Sequence, residues 1–105
     1  RFRRVIVRSV VAIIKATPGE QAQLHKLRQA ALPHFQQVPG CQAYALLVDL
    51  EDPTRFVSYE SWDGEAARQA HMQAPTLTNA MPVLEKILAE PMQQIRLNQL
   101  PGSTL

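Results

Sequence analysis

The chain has a single cysteine, Cys41, among 105 residues, so no intrachain disulfide can form. That fits a reducing compartment, and a cytoplasmic location is the expectation. Cys41 follows Pro39-Gly40 and precedes an apolar run, and it reads as a packed thiol at a strand start rather than a nucleophile. No apolar run approaches the roughly 18 residues that a membrane span needs. Val5 to Ile14 is apolar but is interrupted by Arg8, and no signal-peptide cleavage pattern follows it. His25, His34 and His71 form no ligand spacing with Cys41 or with a carboxylate cluster, so no metal site is expected. A Gly-rich phosphate loop and a dinucleotide fingerprint are both missing. Oxidation chemistry here therefore requires the substrate itself to donate electrons.

Charge is also sparse. The net charge is +2, and much of the excess sits in Arg1, Arg3, Arg4 and Arg8. A basic arm can bind phosphates, but aromatic and basic side chains do not interleave elsewhere. The arm, residues 1–9, reads as a solvated terminus or a strand extension, and no nucleic-acid partner is expected.

What is present reads as one small domain over residues 10–100, followed by a tail at 101–105. Val10-Val11-Ala12-Ile13-Ile14 is β-branched and nearly continuous, the pattern of a strand buried on both faces or nearly so. Val5-Ile6-Val7 extends it backwards. Thr17-Pro18-Gly19-Glu20 predicts a capped helix start, with Thr17 as the cap and Glu20 completing a capping box. Leu24, Leu27, Ala31, Phe35 and Val38 follow at helical spacing; Pro33 should kink this helix and Pro39-Gly40 should end it.

Residues 41–50 predict a second strand, and Glu51-Asp52-Pro53-Thr54 a turn into a third, Arg55 to Trp62. Phe56, Ser58, Glu60 and Trp62 share one face of that strand. Asp63 is the expected N-cap of the next helix, in which Ala66, Ala67, Ala70, His71 and Ala74 form an apolar stripe. Pro75 stops it. Leu77, Met81, Leu84 and Leu88 give a third helix with a break expected at Pro82, and Met92 to Leu100 a last extended segment. The order is that of an α+β, ferredoxin-like split βαβ domain with an antiparallel sheet. Helices cover one face of such a sheet. A sheet-to-sheet homodimer would cover the other.

The segment Thr54 to Pro75 brings a carboxylate, an indole and an imidazole to one strand-to-helix corner. It also carries a resemblance. Thr17-Pro18-Gly19, Pro39-Gly40-Cys41, Asp49 to Asp52, Arg55-Phe56-Val57, Tyr59-Glu60-Ser61-Trp62 and Ala70-His71-Met72 with Pro75 resemble the antibiotic biosynthesis monooxygenase family. The Glu-x-Trp pair followed nine residues later by His is its most specific part. The resemblance covers nearly the whole chain from Val10. It implies a dimeric α+β barrel and, in quinol-oxidising members, a cofactor-free monooxygenase acting on quinols or polycyclic phenols with dioxygen. Two departures stand out. Thr76 occupies the place where many relatives have a second histidine, and Val10 to Ile14 lacks the asparagine used by haem-degrading relatives.

Such a reaction needs a base, an apolar ring site and donors for the developing anion. His71 is the expected base or proton shuttle, with Glu60 orienting or charge-balancing it. Trp62 and Phe56 would line the ring, and Tyr44 would donate a hydrogen bond. Each has a plain structural alternative. His71 and Trp62 also read as core residues, Glu60 as a carboxylate satisfied by an arginine or backbone amides, and Tyr44 as an interface residue. The competing functions are a non-oxidative isomerase of a small polar substrate, with Arg55 and Arg68 the nearby cations, and a non-catalytic ligand-binding dimer.

Overall fold

A computed structural model describes residues 8–103. Arg1, Arg3, Arg4, the Val5-Ile6-Val7 extension and the last two residues of the tail lie outside the described residues. The described elements are β1 (Arg8–Lys15), α1 (Gln21–Gln36), β2 (Cys41–Val48), β3 (Arg55–Trp62), α2 (Glu65–Gln73), α3 (Pro75–Ile87) and β4 (Gln93–Leu97). The strands form one sheet in the order β2-β3-β1-β4, and every neighbouring pair is antiparallel. This is the ferredoxin-like α+β arrangement the alternation of patterns predicts. The last strand finds its partner in β1, Val11 opposite Ile95.

Register decides which side chains meet. Val10 lies opposite Glu60 on one side, and Tyr44 lies opposite Glu60 on the other. All three therefore point to the helix-covered face, together with Ala12, Ile14, Ser58 and Trp62. Two apolar clusters fill that side. Val10, Phe35, Tyr44, Trp62 and Leu77 form one. Ile14, Ala16, Leu24, Leu84 and Ile87 form the other. On the opposite face Val11, Ile13, Val57 and Tyr59 are only half-buried, so β1 is not buried on both faces. Leu47, Ile95 and Leu97 are exposed there.

Several helix boundaries differ from expectation, each for a local reason. Thr17 does not cap α1. The segment Thr17–Glu20 closes a turn in which the Glu20 N–H donates to the Thr17 carbonyl at 2.8 Å, and α1 starts after it. The amide freed at Gly19 is taken by the Gln21 side chain at 2.8 Å. Pro33 lies inside α1, close enough to its end to cost few backbone bonds, and the helix stops at Gln36 before Pro39-Gly40. Gly64 rather than Asp63 precedes α2, with no side-chain cap, and the Asp63 N–H is held by the Gly40 carbonyl at 2.8 Å. The inward residues of α2 are Arg68 and His71, while Ala66 and Ala70 face outward. Pro75 ends α2 and opens α3, where a missing N–H costs nothing, and α3 continues through Pro82. β2 ends at Val48 rather than residue 50, and β4 is confined to Gln93–Leu97.

At Gly40 packing and backbone both demand glycine. Its φ is +89°, and a Cβ there would stand 2.5 Å from the Ala67 Cβ. Gly40→Ala is expected to destabilise the fold by about 2 kcal/mol, read as a lowered urea midpoint with an unchanged slope.

Candidate active site

Strand alternation aims Glu60 and Trp62 at the same side, and α2 lays His71 across them. The Trp62 Nε1–H donates to Glu60 Oε1 at 2.8 Å. The His71 Nε2 lies 4.0 Å from the same oxygen, beyond hydrogen-bond length. The imidazole stacks on the Trp62 indole with centroids 4.9 Å apart and planes at 26°. Phe35 meets it edge-on at 4.7 Å and Tyr44 at 5.5 Å. The site is closed: Trp62 is 0% exposed and His71 2%.

Two arginines flank this cluster from different helices. Arg68 of α2 is buried and bonds to Glu65 at 3.3 Å and Gln94 at 3.4 Å. Arg28 of α1 is buried as well and acts on Tyr44, Glu60 and His71. Its Nη2 has no hydrogen-bond partner, and neither does His71 Nδ1.

Burial sets the protonation states. It pushes the Glu60 carboxyl above its ordinary range, opposed by bonds from Trp62 and Tyr44 and by the two arginines. It pushes the Tyr44 phenol up too, and the Glu60 carboxylate adds to that. His71 is held down at about 4, first by burial and then by Arg28 and Arg68. The imidazole is therefore neutral near pH 7, the form that accepts a proton.

This fixes a pH dependence. Between 6.5 and about 4 the unfolded chain binds a proton at His71 that the folded chain does not. Stability therefore falls as pH falls through that window, by roughly 3 kcal/mol in full. Glu60 contributes the opposite slope above its ordinary carboxylate value, so the measurement is a difference. Denaturation midpoints of the wild type should drop between pH 6.5 and 4 more steeply than those of His71→Gln.

Four of the five residues expected at the site converge: His71, Glu60, Trp62 and Tyr44. Phe56 does not join them. It lies at the far end of β3 against Leu24, Ile14 and their neighbours, and it lines a separate cleft with His25. Arg55 also lies away from the cluster, paired with Asp49 at the hairpin turn at 3.0 Å. Arg28 escaped sequence reasoning because it sits among polar neighbours in α1. The one available signal was its spacing from Leu24 and Phe35, four residues after one and seven before the other, which places it on the buried stripe. Burial raises the Cys41 thiol, in keeping with a packed rather than a nucleophilic role.

The fold has many relatives among solved structures. A protein of Pseudomonas aeruginosa, PA3566, superposes with a TM-score of 0.86 at 23% identity, covering 95% of this chain and 99% of that one. A candidate antibiotic biosynthesis monooxygenase of Nitrosomonas europaea gives 0.87 at 16% identity, covering 99% and 100%. A further antibiotic biosynthesis monooxygenase gives 0.85 at 26% identity, covering 90% and 99%. No curated protein matches the chain significantly. The sequence model of the antibiotic biosynthesis monooxygenases matches residues 8–83, a span that holds β1, the Glu60–Trp62 pair and His71. The chain belongs to the antibiotic biosynthesis monooxygenase family.

Proposed function

We propose that this protein is a cofactor-independent monooxygenase that oxidises a quinol or polycyclic phenol with dioxygen. Family membership supports a monooxygenase-like activity. The observation that carries the finer reading is the placement of His71, stacked on Trp62 among aromatic rings and set beside a carboxyl that Trp62 and Tyr44 hold in place. The substrate gives up a proton to the Tyr44, Glu60 and His71 cluster, in which the His71 Nε2 must close from 4.0 Å onto the Glu60 carboxyl to share it, and becomes an electron-rich anion. The anion passes one electron to dioxygen, and the substrate radical and superoxide recombine as a hydroperoxide. Loss of water leaves the quinone, so one oxygen atom enters the product and the other leaves as water.

The test is dioxygen uptake with a panel of reduced quinones and anthrones. Saturable uptake above the uncatalysed rate is expected; uptake no faster than autoxidation with every substrate would overturn the reading. One observation favours a second reading, a non-catalytic ligand-binding protein: His71 is almost fully enclosed. That reading expects binding without turnover in the same assay.

The active form in this proposal is a homodimer. Leu47, Ile95 and Leu97 are exposed on the sheet face that no helix covers, beside Val11, Ile13, Val57 and Tyr59. A contiguous apolar face of this kind calls for a partner, and a second sheet of the same shape satisfies it. Sedimentation should show a dimer at micromolar concentration. Leu47→Glu, at a position 52% exposed in the single chain, should give a folded monomer.

A further inference from the structure

A cleft of about 320 Å³ opens between α1 and the β2–β3 hairpin. Leu46, Val48, Pro53 and Phe56 make its walls, His25 stands beside Phe56 with ring centroids 6.4 Å apart, and Arg28 also lines it. Its size falls within the range of small-molecule sites, and its lining is mostly apolar. Arg28 breaks that pattern. It is only 6% exposed, its side-chain bond is to the neutral Tyr44 phenol, no described carboxylate lies within ion-pair distance of it, and its Nη2 donor is orphaned. A buried guanidinium is normally paired, because desolvating a charge costs more than packing returns. Arg68, the other buried arginine, has such a partner in Glu65 at 3.3 Å.

We propose that Arg28 is an anion-recognition residue, and that the cleft takes a planar aromatic ligand bearing a carboxylate. This deepens the function proposed above and rests on it for the identification of the ligand as a substrate. The ring would lie against Phe56 and the aliphatic walls, and the carboxylate would accept from the unpartnered guanidinium donor. Arg28 lies between this cleft and the buried cluster, since the same guanidinium acts on Tyr44, Glu60 and His71. An anion that neutralises Arg28 removes one of the charges that disfavour a proton on His71. Binding thereby strengthens the base on the far side of the arginine.

The test uses two ligands that differ in charge: 1-hydroxy-2-naphthoate and 1-naphthol, titrated calorimetrically into the intact protein at pH 7.5. Wild type should bind the carboxylate about 10- to 100-fold more tightly, the usual worth of a charge-assisted bond. Arg28→Met should keep its affinity for naphthol and lose the preference. Phe56→Ala, which leaves the cation in place, should weaken both ligands alike. It serves as the second variant if Arg28→Met fails to fold. Equal affinities in the wild type, no binding of either ligand, or a preference that survives Arg28→Met or is lost selectively in Phe56→Ala would each overturn the proposal. Binding is read without turnover. A clear preference in a protein that consumes no dioxygen would sink the oxygenase reading and leave the anion site standing. Turnover without the preference would do the reverse.

Discussion

Trp62→Ala is expected to destabilise the protein by about 3–5 kcal/mol, the cost of emptying a large aromatic site in a packed core. That is a large share of the roughly 5–15 kcal/mol by which such domains are stable. Trp62 is 0% exposed and touches three parts of the structure at once. Its ring faces Tyr44 edge-on at 6.3 Å and carries the stacked His71. Its N–H is the donor that Glu60 relies on at 2.8 Å. Alanine leaves a cavity and also strands a buried carboxyl. Trp62→Phe separates the two effects, because it keeps most of the volume and removes only the donor. Its cost should be about 1–2 kcal/mol, in the range for a buried partner left unsatisfied. Urea denaturation at pH 7 measures both. A loss under about 1 kcal/mol for Trp62→Ala would show that the indole does not organise this cluster.

The largest effect on rate is expected at His71. His71→Gln should lower the turnover number for dioxygen uptake by about 100-fold or more, the typical contribution of a positioned general base. KM should change little, because the imidazole is buried behind the rings and does not line the described clefts. Glutamine retains a polar side chain of moderate size, so the fold should survive for the comparison. Glu60→Gln should give a smaller loss, since it keeps an acceptor for the Trp62 N–H and removes only the charge. A variant in which both kcat and the pH profile match the wild type would make His71 a core residue and nothing more.

The order of elements and the split βαβ plan were legible from the apolar periods. The β3 face of Ser58, Glu60 and Trp62 was legible as well, because strand alternation is a strong local signal and Arg55 to Trp62 pairs on both sides. Helix starts were less so. Thr17 and Asp63 have the chemistry of caps, but Thr17 lies in a turn closed by Glu20, and the backbone amides of Thr17 and Asp63 are tied to Ile87 and Gly40, neighbours distant in sequence that fix where the chain enters each helix. The stripe of small residues in α2 misled for a related reason. Alanine tolerates solvent, whereas Arg68 is buried with its guanidinium bonded to Glu65 and Gln94. At the site, Phe56 shares a strand face with Trp62 but lies six residues away, so one face does not make one pocket. Arg28 was hard to place because a buried arginine without a carboxylate in ion-pair contact breaks the pattern that sequence reading relies on.

The most direct measurement of the central claim is dioxygen uptake by wild type and His71→Gln side by side, on one reduced anthrone, with matched thermal midpoints as the control for folding. Saturable uptake by the wild type, well above autoxidation, is expected, with a loss of about 100-fold in the variant. Equal uptake by the two folded proteins would contradict it.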